Sequence, residues 1–349
     1  MEINKLLKTA VEKKASDLHL VVGHVPVLRI DTEIKPMKDE PEVSNAELKK
    51  MVESILTVSQ KKKFYDDREL DLSYEINNVG RFRINLCWEK DNVSLVSRII
   101  NNKIPSMEDL GLNDVVAEML LQNQGLILVT GPTGSGKSTT LASMVNYINE
   151  NRKVSIITLE DPIEYLFPKA SSIITQRELG SDMKTFAAGL KHVLRQDPDI
   201  VMVGEMRDLE TIALTLTLAE TGHLVLATLH TPNASQVIDR IVDVFPAYQQ
   251  TQIRMQFSMV LNSIIAQRIL PKKGGGLIAA REILINTPAI SNIIRENKIP
   301  QIKTVIQTSA DKGMSTMVQA VKKLYEDDLI EESLAASLFA EEDMRQSTS

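Results

Sequence analysis

Residues 131–138 read Gly131-Pro132-Thr133-Gly134-Ser135-Gly136-Lys137-Ser138, and no other stretch restricts the fold as tightly. An apolar run, Leu126-Ile127-Leu128-Val129, leads in, and Ser138-Thr139-Thr140-Leu141-Ala142-Ser143-Met144-Val145 leads out. The first predicts a buried strand and the second a helix. Gly131 and Gly136 permit backbone N–H groups to turn inward. The helix N-terminus that follows favours an anion. Together these features predict a phosphate-binding loop. In that reading Gly131, Thr133, Gly134, Ser135, Gly136 and Thr139 surround a polyphosphate. Lys137 supplies a cation to the β- and γ-phosphates, and the Ser138 hydroxyl is a candidate Mg²⁺ ligand. The plain alternative is a glycine-rich turn between strand and helix.

At 349 residues the chain predicts about two domains. Residues 1–100 show an α+β pattern. Ile3, Leu6, Leu7, Ala10 and Val11 form a helical stripe. Leu18, Leu20 and Val22 alternate as a strand, and Ser44 with Glu47 reads as a capping box. Leu70 to Ile76 and Phe82 to Trp88 alternate as strands joined by the turn Asn77-Asn78-Val79-Gly80, with Val93 to Ile100 following. The polar, proline-bearing segment 101–106 reads as a linker. From 107 on, near-continuous apolar strands alternate with amphipathic helices: Leu126–Thr130, Val154–Leu159, Ile173–Thr175, Ile200–Val203 and Leu224–Leu229. That pattern predicts a parallel α/β sheet covered on both faces. Gly274-Gly275-Gly276 turns between two strand-like runs, about 287–340 reads as helical, and 341–349 as a disordered tail.

Several function classes are disfavoured. No run approaches the roughly 18 apolar residues of a membrane span, and the polar N-terminus is not a signal peptide. Cys87 is the only cysteine, which excludes an internal disulfide and a cysteine-based zinc site. A cytosolic protein is expected. The net charge of −6 and an aromatic content of 4% argue against nucleic acid as a partner.

Four further elements converge on a nucleotide. Glu160 ends the run Ile156-Ile157-Thr158-Leu159, at the carboxyl end of a predicted parallel strand. It is the candidate carboxylate that positions and deprotonates water, although Asp161-Pro162 also suits a solvated turn. Glu205 follows Ile200–Val203 and Gly204, and is a candidate Mg²⁺ anchor, directly or through water. Arg207, two residues on, is placed either to orient it by a salt bridge or to sit in solvent. His223 and His230 flank the strand between them; His230, at the carboxyl end, is a candidate γ-phosphate sensor, against a structural hydrogen-bonding role for each. Arg81 and Arg83 share one strand face. They are either an exposed charged face or an arginine finger given to a neighbouring subunit.

With these residues assembled, the chain resembles the secretion and pilus motor ATPases, and within them the type IV pilus retraction ATPases, the PilT family. The resemblance runs from about residue 2 to residue 330 and is carried by Ser16–Leu20, Gly80–Asn85, Ile157–Glu164, Val203–Thr211 and His223–Thr231. It implies a PAS-like N-terminal domain and a RecA-like ATPase domain. It implies ATP and Mg²⁺ as cofactors, the roles above for Glu160, Glu205 and His230, and nucleotide contact by His223. It also implies a homohexameric ring at the cytoplasmic face of the inner membrane, peripheral to it, acting on a membrane platform protein to retract pili in twitching motility. Pilus-extension and type II secretion ATPases fit less well, because they carry an extra N-terminal domain and a four-cysteine zinc motif. An accessory paralogue of the retraction ATPase, a nucleic-acid translocase and a non-hydrolysing adaptor are the remaining alternatives. Two positions depart from the family: Ser291 replaces an arginine in Ala289–Glu296, and Asp31-Thr32 replaces Asp-Gly.

Overall fold

The computed structural model describes every residue except Asp31, Thr32, Asn78, Asn101, Asn102, Asn113, Thr348 and Ser349, and over 341–347 it describes the backbone alone. The Asp31-Thr32 departure, Asn78 of the hairpin turn and the first two linker residues lie outside the described residues. The chain divides into two units. One comprises Met1–Lys103 with Pro162–Leu166, the other Ile104–Asp161 with Phe167–Ser349.

The first unit contains α1 (Ile3–Glu12), β1 (Asp17–Val21), β2 (Val27–Ile30), β3 (Glu33–Pro36), α2 (Asn45–Ile55), α3 (Val58–Asp67), β4 (Glu69–Ile76), β5 (Gly80–Glu89) and β6 (Asn92–Ile100). Its sheet runs β3-β2-β1-β6-β5-β4, with every neighbouring pair antiparallel. Alternation buries one face, as expected for such a sheet: Leu70, Leu72, Phe82, Ile84 and Leu86 join Leu6, Leu7 and Leu48 of the helices in one core. The Ser44–Glu47 capping box forms at the start of α2. The strand pair β2–β3 and helix α3 have no counterpart in the sequence reading.

The second unit contains α4 (Asp114–Leu120), β7 (Gly125–Thr130), α5 (Lys137–Asn151), β8 (Ser155–Glu160), β9 (Ile173–Glu178), α6 (Phe186–Val193), β10 (Ile200–Val203), α7 (Leu209–Glu220) and β11 (Leu224–Leu229). It continues with α8 (Ala234–Asp243), α9 (Ala247–Val260), β12 (Leu261–Pro271), β13 (Leu277–Ile285), α10 (Pro288–Arg295), α11 (Ile302–Thr308), α12 (Met317–Glu326) and α13 (Glu332–Ser347). The sheet order is β13-β12-β7-β11-β10-β8-β9. All pairs are parallel except β12–β13, where a hairpin over the three glycines adds an antiparallel edge.

Both faces are covered. Ile127, Val129, Ile156, Met202 and Leu226 pack under α4 and α5. Leu126, Leu128, Leu159, Val203 and Ala227 pack under helices of the α6–α11 set. Strands buried on both sides must be apolar at consecutive positions, which is why they read as unbroken runs. Helices α12 and α13 bury Val321, Ala335 and Leu338 against Leu270 and Ala280 of the β12–β13 hairpin. The backbone of α13 stays helical through Ser347, past residue 341 where the sequence reading begins a disordered tail. The helix is anchored at Ala335 and Leu338, and each further residue adds a backbone hydrogen bond without a new nucleus.

Candidate nucleotide site

Sheet register brings the chemistry-bearing residues to one rim. Thr130 pairs with Leu229 of β11 and with Ala266 of β12, so His230 and Gln267 flank Gly131. Val203 pairs with Leu159 and Ala227, so Gly204 lies level with Glu160 and Thr228. This rim is the carboxyl end of the parallel strands, where open α/β sheets bind ligands.

Helix α5 opens with Gly136 in the left-handed region (φ 80°), no side-chain cap and no acid in its first turn. The positive end of the helix dipole is therefore not offset by an acid and favours an anion. Gly131 has φ 148°, and a Cβ there would meet Gln267 O at 2.4 Å and Ser135 Oγ at 2.6 Å. Gly134, at φ 78°, faces open space. Gly131→Ala should thus cost more stability than Gly134→Ala, by about 1–3 kcal/mol in chemical denaturation. Equal losses would mean that backbone conformation alone selects glycine in this loop.

Lys137 is buried and donates through Nζ to Gly131 O at 2.8 Å and Pro132 O at 3.0 Å. Nζ also lies 3.4 Å from His230 Nδ1. An ammonium has no lone pair, so Nδ1 is the acceptor and the ring proton sits on Nε2. Nε2 faces Glu205 Oε2 at 3.3 Å, and Arg207 Nη2 meets Glu205 Oε1 at 2.5 Å. A polar chain Lys137–His230–Glu205–Arg207 results. Ser138 is exposed and Thr139 half-buried at the helix start.

Glu160 is the last residue of β8 and is buried. Thr158 Oγ1 donates to its Oε1 at 2.6 Å, and Gln176 Nε2 donates to the same oxygen at 3.0 Å. The Gly-Glu order at 204–205 has a steric cause: a Cβ on Gly204 would sit 3.1 Å from Leu159 O and 3.4 Å from Glu160 Cα. The Thr228 hydroxyl donates to Gly204 O and fixes the turn. Glu205 therefore leaves the strand end one residue late.

Two sequence candidates are not brought to this rim. His223 precedes β11 at the opposite end of the strand, and its Nδ1 lies 3.0 Å from Leu218 O, at the end of α7. Arg81 and Arg83 belong to the first unit. They share the face of β5 opposite Phe82 and Ile84, with Arg81 paired to Glu75 and Arg83 to Ser73 across β4. Among the described residues no group of three or more His, Cys, Asp or Glu is placed to hold a metal ion.

Sequence reasoning missed three contributors. Thr130 Oγ1 lies 2.6 Å from both Thr231 O and Thr231 Oγ1, tying the loop to the His230 turn. Gln176 orients Glu160. Gln267 binds the loop itself, with Nε2 on Ser135 O and Oε1 on Thr140 Oγ1. Its signal was an amide directly after the apolar run Ile264-Ile265-Ala266, since a buried polar group needs partners. Beside the loop opens a cavity of about 300 Å³, lined by Pro132, His230, Gln267, Arg268, Val321 and Phe339 among others.

This geometry has close relatives. The type IV pilus retraction ATPase PilT of Pseudomonas aeruginosa is 44% identical over 330 residues, spanning 95% of this chain and 96% of that protein. A twitching motility protein of Neisseria gonorrhoeae is 44% identical over 329 residues, spanning 94% and 88%. The crystal structure of the pilus retraction motor PilT with bound ADP superposes with a TM-score of 0.91 at 46% identity, covering 96% of each chain. The resemblance drawn from the motifs is borne out. Residues 1–332 match the family of Type II/IV secretion system proteins, and to that family this chain belongs.

Proposed function

We propose that this chain is a motor ATPase that couples ATP hydrolysis to retraction of type IV pili. The observation that carries the proposal is the convergence of Lys137, His230, Glu205 and Glu160 on one rim around the loop, in a chain 44% identical to a retraction ATPase over nearly its full length. Lys137 binds the β- and γ-phosphates, and the loop glycines present backbone N–H groups to them. Glu160, held by Thr158 and Gln176, is the general base for water. His230 senses the γ-phosphate. When that phosphate leaves, the Lys137–His230–Glu205 chain loses its anchor and passes the change to α8, which begins four residues after His230.

The site suits Mg²⁺. Exposed Ser138 would ligate it, Glu205 would hold it through water, and the nucleotide's own phosphates would complete its shell, as this ion prefers. When bound, it neutralises charge that develops between the β- and γ-phosphates.

The working form is a homohexamer. Its first unit is PAS-like and its second RecA-like. It acts at the cytoplasmic face of the inner membrane on a platform protein; no helix among the described residues is long and apolar enough to cross a membrane. Arg81 and Arg83 act in trans on a neighbour's nucleotide, and His223 contacts nucleotide only from such a neighbouring position. Arg81→Ala should lower ATP turnover only in assembled rings; equal loss in a monomeric form would remove the trans assignment.

Ser291 favours a second reading, an accessory retraction ATPase. Its hydroxyl lies 3.0 Å from Ser258 O and 2.9 Å from Asn286 Oδ1, tying α10 to the end of α9 where the family carries an arginine. Complementation separates the two. A primary motor restores pilus shortening to a retraction-deficient strain by itself, whereas an accessory protein restores it only beside a resident motor. No shortening in either background would overturn both.

A further inference from the structure

We propose that Gln267 is a positioning residue for the phosphate loop, holding the Ser135–Gly136 peptide so that the Gly136 N–H points into the loop. The inference rests on the nucleotide reading above. Gln267 lies in β12 and is 1% exposed. Its Nε2 donates to Ser135 O at 2.5 Å, and its Oε1 accepts from Thr140 Oγ1 at 2.9 Å. Chemistry fixes which way the amide faces. A backbone carbonyl only accepts, so the nitrogen must meet Ser135. The Thr140 hydroxyl then finds the oxygen and locks the orientation from the first turn of α5.

The consequence follows from peptide geometry. A trans peptide is planar, and its C=O points opposite to the following N–H. With Ser135 O held outward against β12, the Gly136 N–H is turned inward, toward an anion in the loop. Were this peptide to flip, a carbonyl oxygen would face the phosphates in place of a donor. The same residue also bounds the loop elsewhere. Gln267 O stands 2.4 Å from where a Gly131 Cβ would be, and Nε2 stands 3.4 Å from that of Gly136. One residue of the neighbouring strand thus meets the loop at its start and its end, and the helix behind it. The β12–β7 register, Ala266 opposite Thr130, places it there.

Gln267→Glu discriminates positioning from bulk. It keeps the shape and the Thr140 partner but replaces the donor with an acceptor facing Ser135 O. Burial raises a carboxyl's pKa, and once protonated the group can donate again. ADP affinity of the full chain is measured by calorimetry from pH 6 to 8.5. Each variant is expressed as its ratio to the wild type at the same pH, which cancels every titration the two share. Gln267→Glu should bind at least ~10-fold more weakly at pH 8.5, equivalent to about 1.4 kcal/mol. Its ratio should climb toward one at pH 6, while Gln267→Leu stays weak throughout. A Gln267→Glu ratio of one at pH 8.5, or a loss that does not change with pH, overturns the proposal. Should Gln267→Glu fail to fold, Thr140→Val, which removes the hydroxyl that holds Oε1 in place and leaves the amide its contact with Ser135 O, should weaken ADP binding by ~3-fold or more; unchanged affinity overturns the proposal equally. No ADP binding by the wild type would overturn the nucleotide reading itself, and this inference with it.

Discussion

Lys137→Ala should yield a folded protein that binds ATP at least ~10²-fold more weakly than the wild type and does not hydrolyse it measurably. Lys137 is 8% exposed, and its ammonium lies among groups that want a cation. It donates to Gly131 O at 2.8 Å and Pro132 O at 3.0 Å. Hydrogen bonds to a charged group contribute about 1.5–3 kcal/mol each. Losing two of them to phosphate oxygens costs about 3–6 kcal/mol, which is ~10²–10⁴ in affinity. The effect on folding is smaller, because Pro132 is exposed and its carbonyl can turn to water. Calorimetry with ATP, phosphate release and a denaturation midpoint together separate binding from stability. Normal hydrolysis would detach the loop from the chemistry. A second consequence lies at His230. Without the ammonium 3.4 Å from Nδ1, His230 keeps Glu205 as its partner at Nε2 but loses its contact with the loop lysine. Loss of Lys137 therefore also disconnects His230 from the loop.

The sequence shows those parts of the fold whose burial repeats. Strands β7, β8, β10 and β11 are buried almost throughout, and each appears as an unbroken apolar run. Strands β4 and β5 bury alternate residues, and alternation reveals them. Strand β3 is exposed along its whole length, so it leaves no apolar trace. Helix α3 buries only Phe64; the one local signal is the Thr57–Gln60 capping box, which the sequence reading passed over. The antiparallel direction of β13 is a property of the hairpin and its partner strand, and no single run of residues encodes it.

The site divides the same way. Glu160, Glu205 and His230 each end an apolar strand, and the rule that ligands gather at carboxyl ends places them together. The contacts that orient them come from distant positions. Gln176 reaches Glu160 from β9, Thr231 reaches Thr130 from just beyond β11, and Gln267 reaches Ser135 from β12. These depend on register between strands separated by many residues, which spacing along the chain does not express. His223 shows the opposite limit. It shares a motif with His230, yet the strand between them carries the two rings to opposite ends of the sheet.

Glu160→Gln should leave ATP affinity within a few-fold of the wild type and slow hydrolysis by at least ~10²-fold, the scale of a lost general base. The structure explains why binding survives. Thr158 Oγ1 at 2.6 Å and Gln176 Nε2 at 3.0 Å both donate to Oε1 of Glu160. In the amide variant the carbonyl oxygen must occupy that place, because an NH₂ group there would face donors. The amide nitrogen then replaces Oε2, and a lone pair that can take a proton from water becomes a donor that cannot. Glu205 offers a contrast, since Arg207 meets its Oε1 and His230 its Oε2. Both oxygens are engaged by groups that orient it, which suits an ion-anchoring residue. Glu205→Gln should weaken the pairing with Arg207 and raise the Mg²⁺ concentration needed for half-maximal rate. Single-turnover hydrolysis at saturating Mg²⁺ distinguishes the two carboxylates. If Glu205→Gln there proves far more damaging than Glu160→Gln, the roles are exchanged. If Glu160→Gln turns over within a few-fold of the wild type, the base lies elsewhere, and the site requires neither the charge nor the proton affinity of the carboxylate that Thr158 and Gln176 hold.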